Sequence, residues 1–204
     1  MTTAALLAGI TAGLAVAVPL GPIGVMIVDT GIRNGARSGF AAGLGTATVD
    51  GLYAATAALF GAAVGSWLAP AQDTLRIAAA AVLIAIGVYG LLRLKHRGTA
   101  GADAGAPPPA HHLFARFFAL TAVNPATAVT FAALMIGLPA VADGSAADRV
   151  LFVGGAFAAS LAWQSMLAGS GALLGHRLPA SGRWWTSLLG NVIILVLAAK
   201  LIAA

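Results

Sequence analysis

The sequence predicts an all-α integral membrane protein of six transmembrane helices, arranged as a 3+3 inverted repeat in which helices 1 and 4 are broken. Three observations predict it. Of the 204 residues, 60% are hydrophobic and only 8% charged, too few polar groups to solvate the surface of a soluble globule. Six apolar runs, near residues 4–30, 39–68, 75–94, 114–141, 149–174 and 184–203, each reach the roughly 20 residues that a helix needs to cross a bilayer. Helix-breaking sequences stand inside the first and fourth runs, "PLGP" at 19–22 and "VNP" at 123–125.

The gaps between the runs hold the charges. Arg33 and Arg37 lie in the first gap, Arg93, Lys95, Arg97, Asp103 and Arg116 in the third, and Arg177 and Arg183 in the fifth. The second holds Asp73 with Arg76, and the fourth Asp143 and Asp148 with Arg149. Eight of the eleven basic residues thus fall on the side of gaps one, three and five, which the excess of Lys and Arg assigns to the cytoplasm. Loops 31–38, 95–113 and 175–183 are expected inside and both termini outside. The net charge of +5 then reports topology, and no nucleic-acid partner is expected. Cysteine is absent, which excludes disulfides, thiolate metal sites and thiol redox chemistry. The opening "MTTAALLAGITAGLAVAV" lacks the basic stretch of a signal peptide and continues through Pro19 and Pro22 to Val28, so it reads as a retained first span.

Residues 96–112, "HRGTAGADAGAPPPAHH", form the one long polar stretch and read as a mobile cytoplasmic linker between a first repeat, 1–95, and a second, 113–204. His96, His111 and His112 are read as solvated linker residues, with no metal site. A shift of 110 residues places Gly45 on Gly155, Asp50 on Ser160, Tyr53 on Trp163, Gly61 on Gly171 and Gly65 on Gly175. Upstream, "LGP" at 20–22 matches "VNP" at 123–125 with an offset of 103. With three helices per half, such a repeat is inverted across the membrane, an architecture whose sites lie between the halves at midplane. Gly9/Gly13, Gly39/Gly43, Gly61/Gly65 and Gly171/Gly175 set small residues four apart, a spacing that lets helices approach closely in lipid.

A proline inside a helix removes a hydrogen bond, and in hydrocarbon the freed carbonyls need partners. Counting at ~1.5 Å per residue, Pro22 lies roughly 16 Å from Arg33 and Pro125 roughly 13 Å from Arg116, both near the middle of the bilayer. Pro19, Gly21, Pro22, Asn124 and Pro125 are therefore candidates for a substrate or ion site.

Two of the six aspartates lie in apolar runs. Asp29 stands four residues before Arg33, a spacing suited to an ion pair at the cytoplasmic interface. Asp50 lies roughly 20 Å along the second run from Arg37, flanked by apolar and small residues. A carboxyl that deep can carry a single proton, since its charge is costly in hydrocarbon. Thr46, Thr48 and Tyr53 in the first half, with Ser160, Trp163 and Gln164 in the second, supply further polar or aromatic groups at that depth. Trp184 and Trp185, beside Arg183, suit an interfacial belt.

The stretch "PLGPIGVMIVDTGIRNGARSGFAAGLGTATVDGLYAATAALFG" resembles the start of the LysE/RhtB amino-acid exporters, and "ALTAVNPATAVTFAALMIGLP" is similar to their Asn-Pro fourth helix. The resemblance covers essentially the whole chain. It implies efflux of amino acids or related small solutes from a bacterial-type cytoplasmic (inner) membrane, coupled to protons or membrane potential, with no organic cofactor. It points to Pro19, Gly21, Pro22, Asp50, Asn124 and Pro125 as site residues. Ile23, Gly24 and Ala126 replace the Asn or Gln and the Lys of many members, so a less characterised branch of the superfamily is the nearer match. Asp29 would attract a cationic substrate if it faced the cavity.

Two other readings compete. Export of a divalent metal belongs to the same superfamily, but two aspartates at different depths make a poor oxygen cage. An intramembrane aspartyl protease needs the Asp29 and Asp50 carboxyls to share a proton. The sequence leaves the substrate, the coupling ion and a homodimer open.

Overall fold

The structure, a computed structural model, describes residues 2–18, 21–68, 72–97, 108–124, 127, 144–177 and 179–203, and every element among them is a helix. In chain order these are α1 (Thr2–Ala17), α2 (Pro22–Asn34), α3 (Ala36–Leu68), α4 (Gln72–Arg97), α5 (Ala110–Ala122), α6 (Ala146–Arg177) and α7 (Ala180–Ala203). Among the described residues α6 alone is long and apolar enough to cross a membrane, and α1 with α2, bent by 79° at their junction, make a second such length together.

The first apolar run is thus two helices. Gly21 is extended (φ −86°, ψ 178°) and caps α2, whose first residue is Pro22. At that position the fixed φ of proline suits a helix and its missing N–H would have had no partner. Pro22 therefore starts a helix instead of kinking one. Pro19 lies outside the described residues.

The first loop is a single residue. Gly35 has φ +83°, a left-handed conformation that favours glycine, and its N–H bonds the Gly31 carbonyl at 2.9 Å as α2 turns into α3. The third gap is also shorter than the composition suggests, because α4 runs on to Arg97 and α5 begins at Ala110. His111 and His112 accordingly sit in the first turn of a helix. In the fourth run α5 stops at Ala122, just before Asn124, while Pro125, Ala126 and residues 128–143 lie outside the described residues.

A reciprocal cap opens α6. Ser145 Oγ accepts the Asp148 N–H at 3.3 Å, and Asp148 Oδ2 accepts the Ser145 N–H at 3.2 Å and its hydroxyl at 2.8 Å. Asp148, an acid of the fourth gap, is thereby used to begin the helix on which the fold is assembled.

Helix α6 runs in the same sense as α1 and α2 and opposite to α3. Gly9 meets the Phe152 backbone and Gly13 that of Ala156, while Gly171 meets the Val28 carbonyl and Gly175 that of Ile32. The four pairs share one offset, 143 residues, so α6 keeps one register with both segments of the broken run. Gly39 lies against Ala168, Gly43 against Gln164 and Gly51 against the Phe157 ring, which sets α3 antiparallel. Helix α5 packs parallel to α3, Gly45 meeting the backbone at Phe114 and Phe118. Helix α4 packs antiparallel to α7, with Gly87 against Leu195 and Gly90 against Asn191.

A methyl group at Gly171 would run into the Val28 backbone, whereas one at Gly154 would meet nothing within 4 Å. Gly171→Ala should cost about 1–3 kcal/mol, the usual range for overpacking. Gly154→Ala should be neutral or gain up to about 1 kcal/mol from helix propensity. Unfolding of the two variants in mixed micelles checks the contrast, and equal stabilities would refute the backbone contact.

Candidate functional site

Two apolar clusters lie one beyond the other along α6. The first gathers Ala12, Ala54, Ala57, Ala58, Phe152 and Ala156, and the second Ile27, Ala42, Phe117, Leu167 and Ala168. Between them each contributing element changes character at the same level. The broken run has its interruption there, between Ala17 and Pro22; α3 has Thr46 and Asp50; α6 has Ser160 and Gln164. The result is a polar layer closed by apolar packing on both sides.

Asp50 is the centre of this layer. It is 2% exposed, and its Oδ2 accepts the Ser160 hydroxyl at 2.6 Å across the α3–α6 interface. Thr46 and Thr121 are buried with their hydroxyl oxygens 3.3 Å apart, which joins α3 to α5. Each hydroxyl also reaches a carbonyl of its own helix, Thr46 that of Ala42 at 3.4 Å and Thr121 that of Phe117 at 2.8 Å. Thr48 bonds back to the Leu44 carbonyl at 2.7 Å and adds no cross-link.

Tyr53, one turn beyond Asp50, donates its hydroxyl to the Ala122 carbonyl at 2.7 Å. Ala122 ends α5, and the last carbonyls of a helix have no partner within it. Tyr53 thereby satisfies a carbonyl at the end of α5, just before Asn124. Asn124 is half-buried beside it, its N–H on the Thr121 carbonyl at 3.0 Å.

Trp163 and Gln164 differ from these. The indole Nε1 of Trp163 and the Oε1 of Gln164 are buried without a hydrogen-bond partner among the described residues. An unsatisfied buried polar group costs about 1–3 kcal/mol, so their presence calls for a reason other than stability.

Asp29 lies elsewhere. Both its carboxylate oxygens accept from Arg33 Nε, at 3.0 and 3.1 Å, with each side chain about a third exposed. The register with α6 sets Asp29 level with Ala172, twelve residues or roughly 18 Å along the helix from Ser160. The two membrane aspartates therefore do not meet, and the shared-proton geometry of an aspartyl protease is not formed.

The family comparison agrees with the sequence resemblance. The model of the LysE type translocators matches residues 14–204. The chain belongs to this family. Neither a curated protein nor a solved structure matches it. Membership identifies a multi-pass membrane transporter in a family of exporters of amino acids or other small solutes, with a small molecule as substrate and lipid as surroundings. Large apolar side chains, Leu7, Leu52, Val150, Met166 and Leu173 among them, are left exposed on the outside of the helices, as suits a protein surrounded by lipid.

Of the site residues expected from the sequence, Asp50, Tyr53, Trp163, Gln164, Gly21, Pro22 and Asn124 thus lie in or beside the layer or at the two breaks, Asp29 lies outside it, and Pro19 and Pro125 are outside the described residues. Ser160 as the partner of Asp50, and Thr121, are the residues that the motifs alone did not single out. The 110-residue shift, which set Asp50 on Ser160, was the available signal for the former.

Removing the hydroxyl at Ser160 leaves Asp50 Oδ2 short of a donor, so Ser160→Ala should destabilise the protein by about 1–3 kcal/mol. In a double-mutant cycle with Asp50→Asn the two changes should couple by at least about 0.5 kcal/mol. Additive effects on unfolding would show that the contact contributes nothing.

Proposed function

We propose that the chain is a proton-coupled secondary exporter of amino acids or related small solutes. Its path runs through a midplane site between two inverted three-helix halves. Six spans place both termini outside and the connections within 31–38, 95–113 and 175–183 in the cytoplasm, and the protein resides in a bacterial-type inner membrane. Asp50 carries the proton, and the breaks at Gly21-Pro22 and Asn124-Pro125 supply backbone groups to the substrate.

The observation that carries this reading is the buried Asp50–Ser160 bond. These residues are equivalent in the 110-residue shift, and two equivalent positions touch when they lie on the two-fold axis of a repeat. The packing supports the same symmetry. Exchanging the halves turns the parallel pairing of the first run with α6 into that of α5 with α3, and returns the α3–α6 and α4–α7 pairings to themselves.

The surroundings suit a proton carrier. No Lys, Arg or His lies near Asp50 in sequence on α3, and α1 has no charged residue at all. The charged groups of α2, α5 and α6 stand toward the helix ends, as Asp29 with Arg33, His111 to Arg116, Asp148 with Arg149, and His176 with Arg177. On these helices, then, no cation stands beside Asp50 to hold its charge, and in an apolar setting the neutral carboxyl is the form that crosses.

Reconstitution tests the role of Asp50. Asp50→Asn protein in liposomes should lose solute accumulation driven by a proton gradient, yet retain exchange of labelled for unlabelled solute. Uphill movement by the variant in response to a proton gradient would remove Asp50 from the coupling step.

A further inference from the structure

We infer that the first turn of α2, the Trp163 indole and the Gln164 side-chain carbonyl form one subsite, which takes a small solute bearing a carboxylate beside an ammonium or hydroxyl group. The inference rests on the export reading and assigns chemistry to its site.

The first component is the start of α2. Among the described residues no side chain caps it, and the first backbone bond between them runs from the Val25 N–H to the Gly21 carbonyl at 3.3 Å. Pro22 has no N–H, so the first-turn donors are Ile23 and Gly24, for which an α-helix offers no acceptor of its own. The end of a helix of 13 residues also carries partial positive charge, which favours an anion.

The second component is independent of that helix end. Gln164 is 4% exposed, with an acceptor oxygen that bonds nothing among the described residues, and Trp163 adds a buried donor in the same condition. Donors at the helix start and at Trp163, with an acceptor at Gln164, complement a carboxylate joined to a hydrogen-bond donor. A bare metal ion would find one neutral oxygen and a repelling helix end.

Three observations bring the components together. Val28 lies against Gly171, and carrying that pairing back along the seven residues to Gly21 brings the start of α2 to roughly the height of Gln164. Ile23 and Trp163 both pack on the cluster built from Ile27, Phe117 and Leu167. Ala168, one turn beyond Gln164 on its face of α6, touches both Gly31 of α2 and Gly39 of α3, so that face looks into the crevice between those helices. Ser160 is one turn in the other direction, which leaves the Asp50 carboxyl roughly 6 Å along α6 from Gln164.

The test uses purified protein, the common L-amino acids one at a time, and the C-terminal amides and N-acetyl derivatives of those that raise its melting temperature. Amino acids should stabilise the wild type, the C-terminal amides should fail, and the N-acetyl derivatives, which keep one donor but lose the ammonium charge, should stabilise less. Gln164→Leu and Trp163→Phe should each weaken binding about tenfold or more, the effect of losing a hydrogen bond to a charged group. Without ligand, Gln164→Leu should melt no lower than wild type, since it removes an unsatisfied buried acceptor; a large drop would make Gln164 structural. Amides that stabilise as well as the free acids, or unchanged binding by both variants, would overturn the subsite. If a solute without a carboxylate moves in an Asp50-dependent manner while no amino acid binds, the subsite falls and the export reading stands. If no solute binds or moves, both fall.

Discussion

Along α6, glycines meet carbonyl groups where side chains would normally intervene. Gly155 faces the Leu6 carbonyl, Gly171 that of Val28 and Gly175 that of Ile32, while Gly9 and Gly13 press on Phe152 and Ala156 in return. A methyl group on Gly155 would stand 2.7 Å from the Leu6 oxygen, which no real side chain tolerates. In lipid, apolar helices gain little by hiding from their surroundings, so close backbone packing has to supply the attraction. Here it acts on both sides of the first break and in one register. The break is thereby fixed opposite a chosen stretch of α6, the stretch that carries Ser160 and Gln164.

At that level lies a layer of groups that hydrocarbon would not accept singly. Asp50 and Ser160 satisfy each other, Tyr53 takes the Ala122 carbonyl, and Thr46 with Thr121 join α3 to α5. Clusters around Phe152 on one side and Phe117 on the other seal the layer. Leaving one such group unsatisfied costs about as much as a well-packed aliphatic side chain contributes. The layer is thus sustained by mutual satisfaction, and Trp163 and Gln164 stand out because they do not share in it.

Much of this was legible in the sequence, to different depths. The helical class and the break in the first run follow from composition and from Pro and Gly, whose backbone constraints are local. The part played by Pro22 was not, because a sequence shows where a helix is interrupted and not on which side of the proline it resumes. Spacing alone gave the Asp29–Arg33 pair, since four residues make one helical turn. The Ser145–Asp148 cap was written in "SAAD" in the same local way, though the charge pattern drew attention to topology instead. The bond from Tyr53 to the Ala122 carbonyl could not be read, because it depends on how α3 and α5 lie together. Asp50 with Ser160 falls between these cases, a long-range contact that only an internal shift could suggest.

The closest contacts do not follow the division of the sequence into halves. The first run adheres to α6 by backbone contact, and α3 adheres to α5 through Gly45 against the backbone at Phe114. Each pair takes one member from before the linker and one from after it. Between the pairs, α3 meets α6 through side chains: Gly43 on the Gln164 stem, Gly51 on the Phe157 ring, Asp50 on Ser160. This seam tightens toward the α2–α3 turn, where Gly39 nears Gly31 and the Ala168 backbone, and is looser toward Asp50. Side chains change rotamer at less cost than backbones separate, so the seam is the part of this packing best able to rearrange. The acid proposed to carry the proton and the amide proposed to meet the substrate both lie on it, so a change of charge at Asp50 would act on an interface that Gln164 shares.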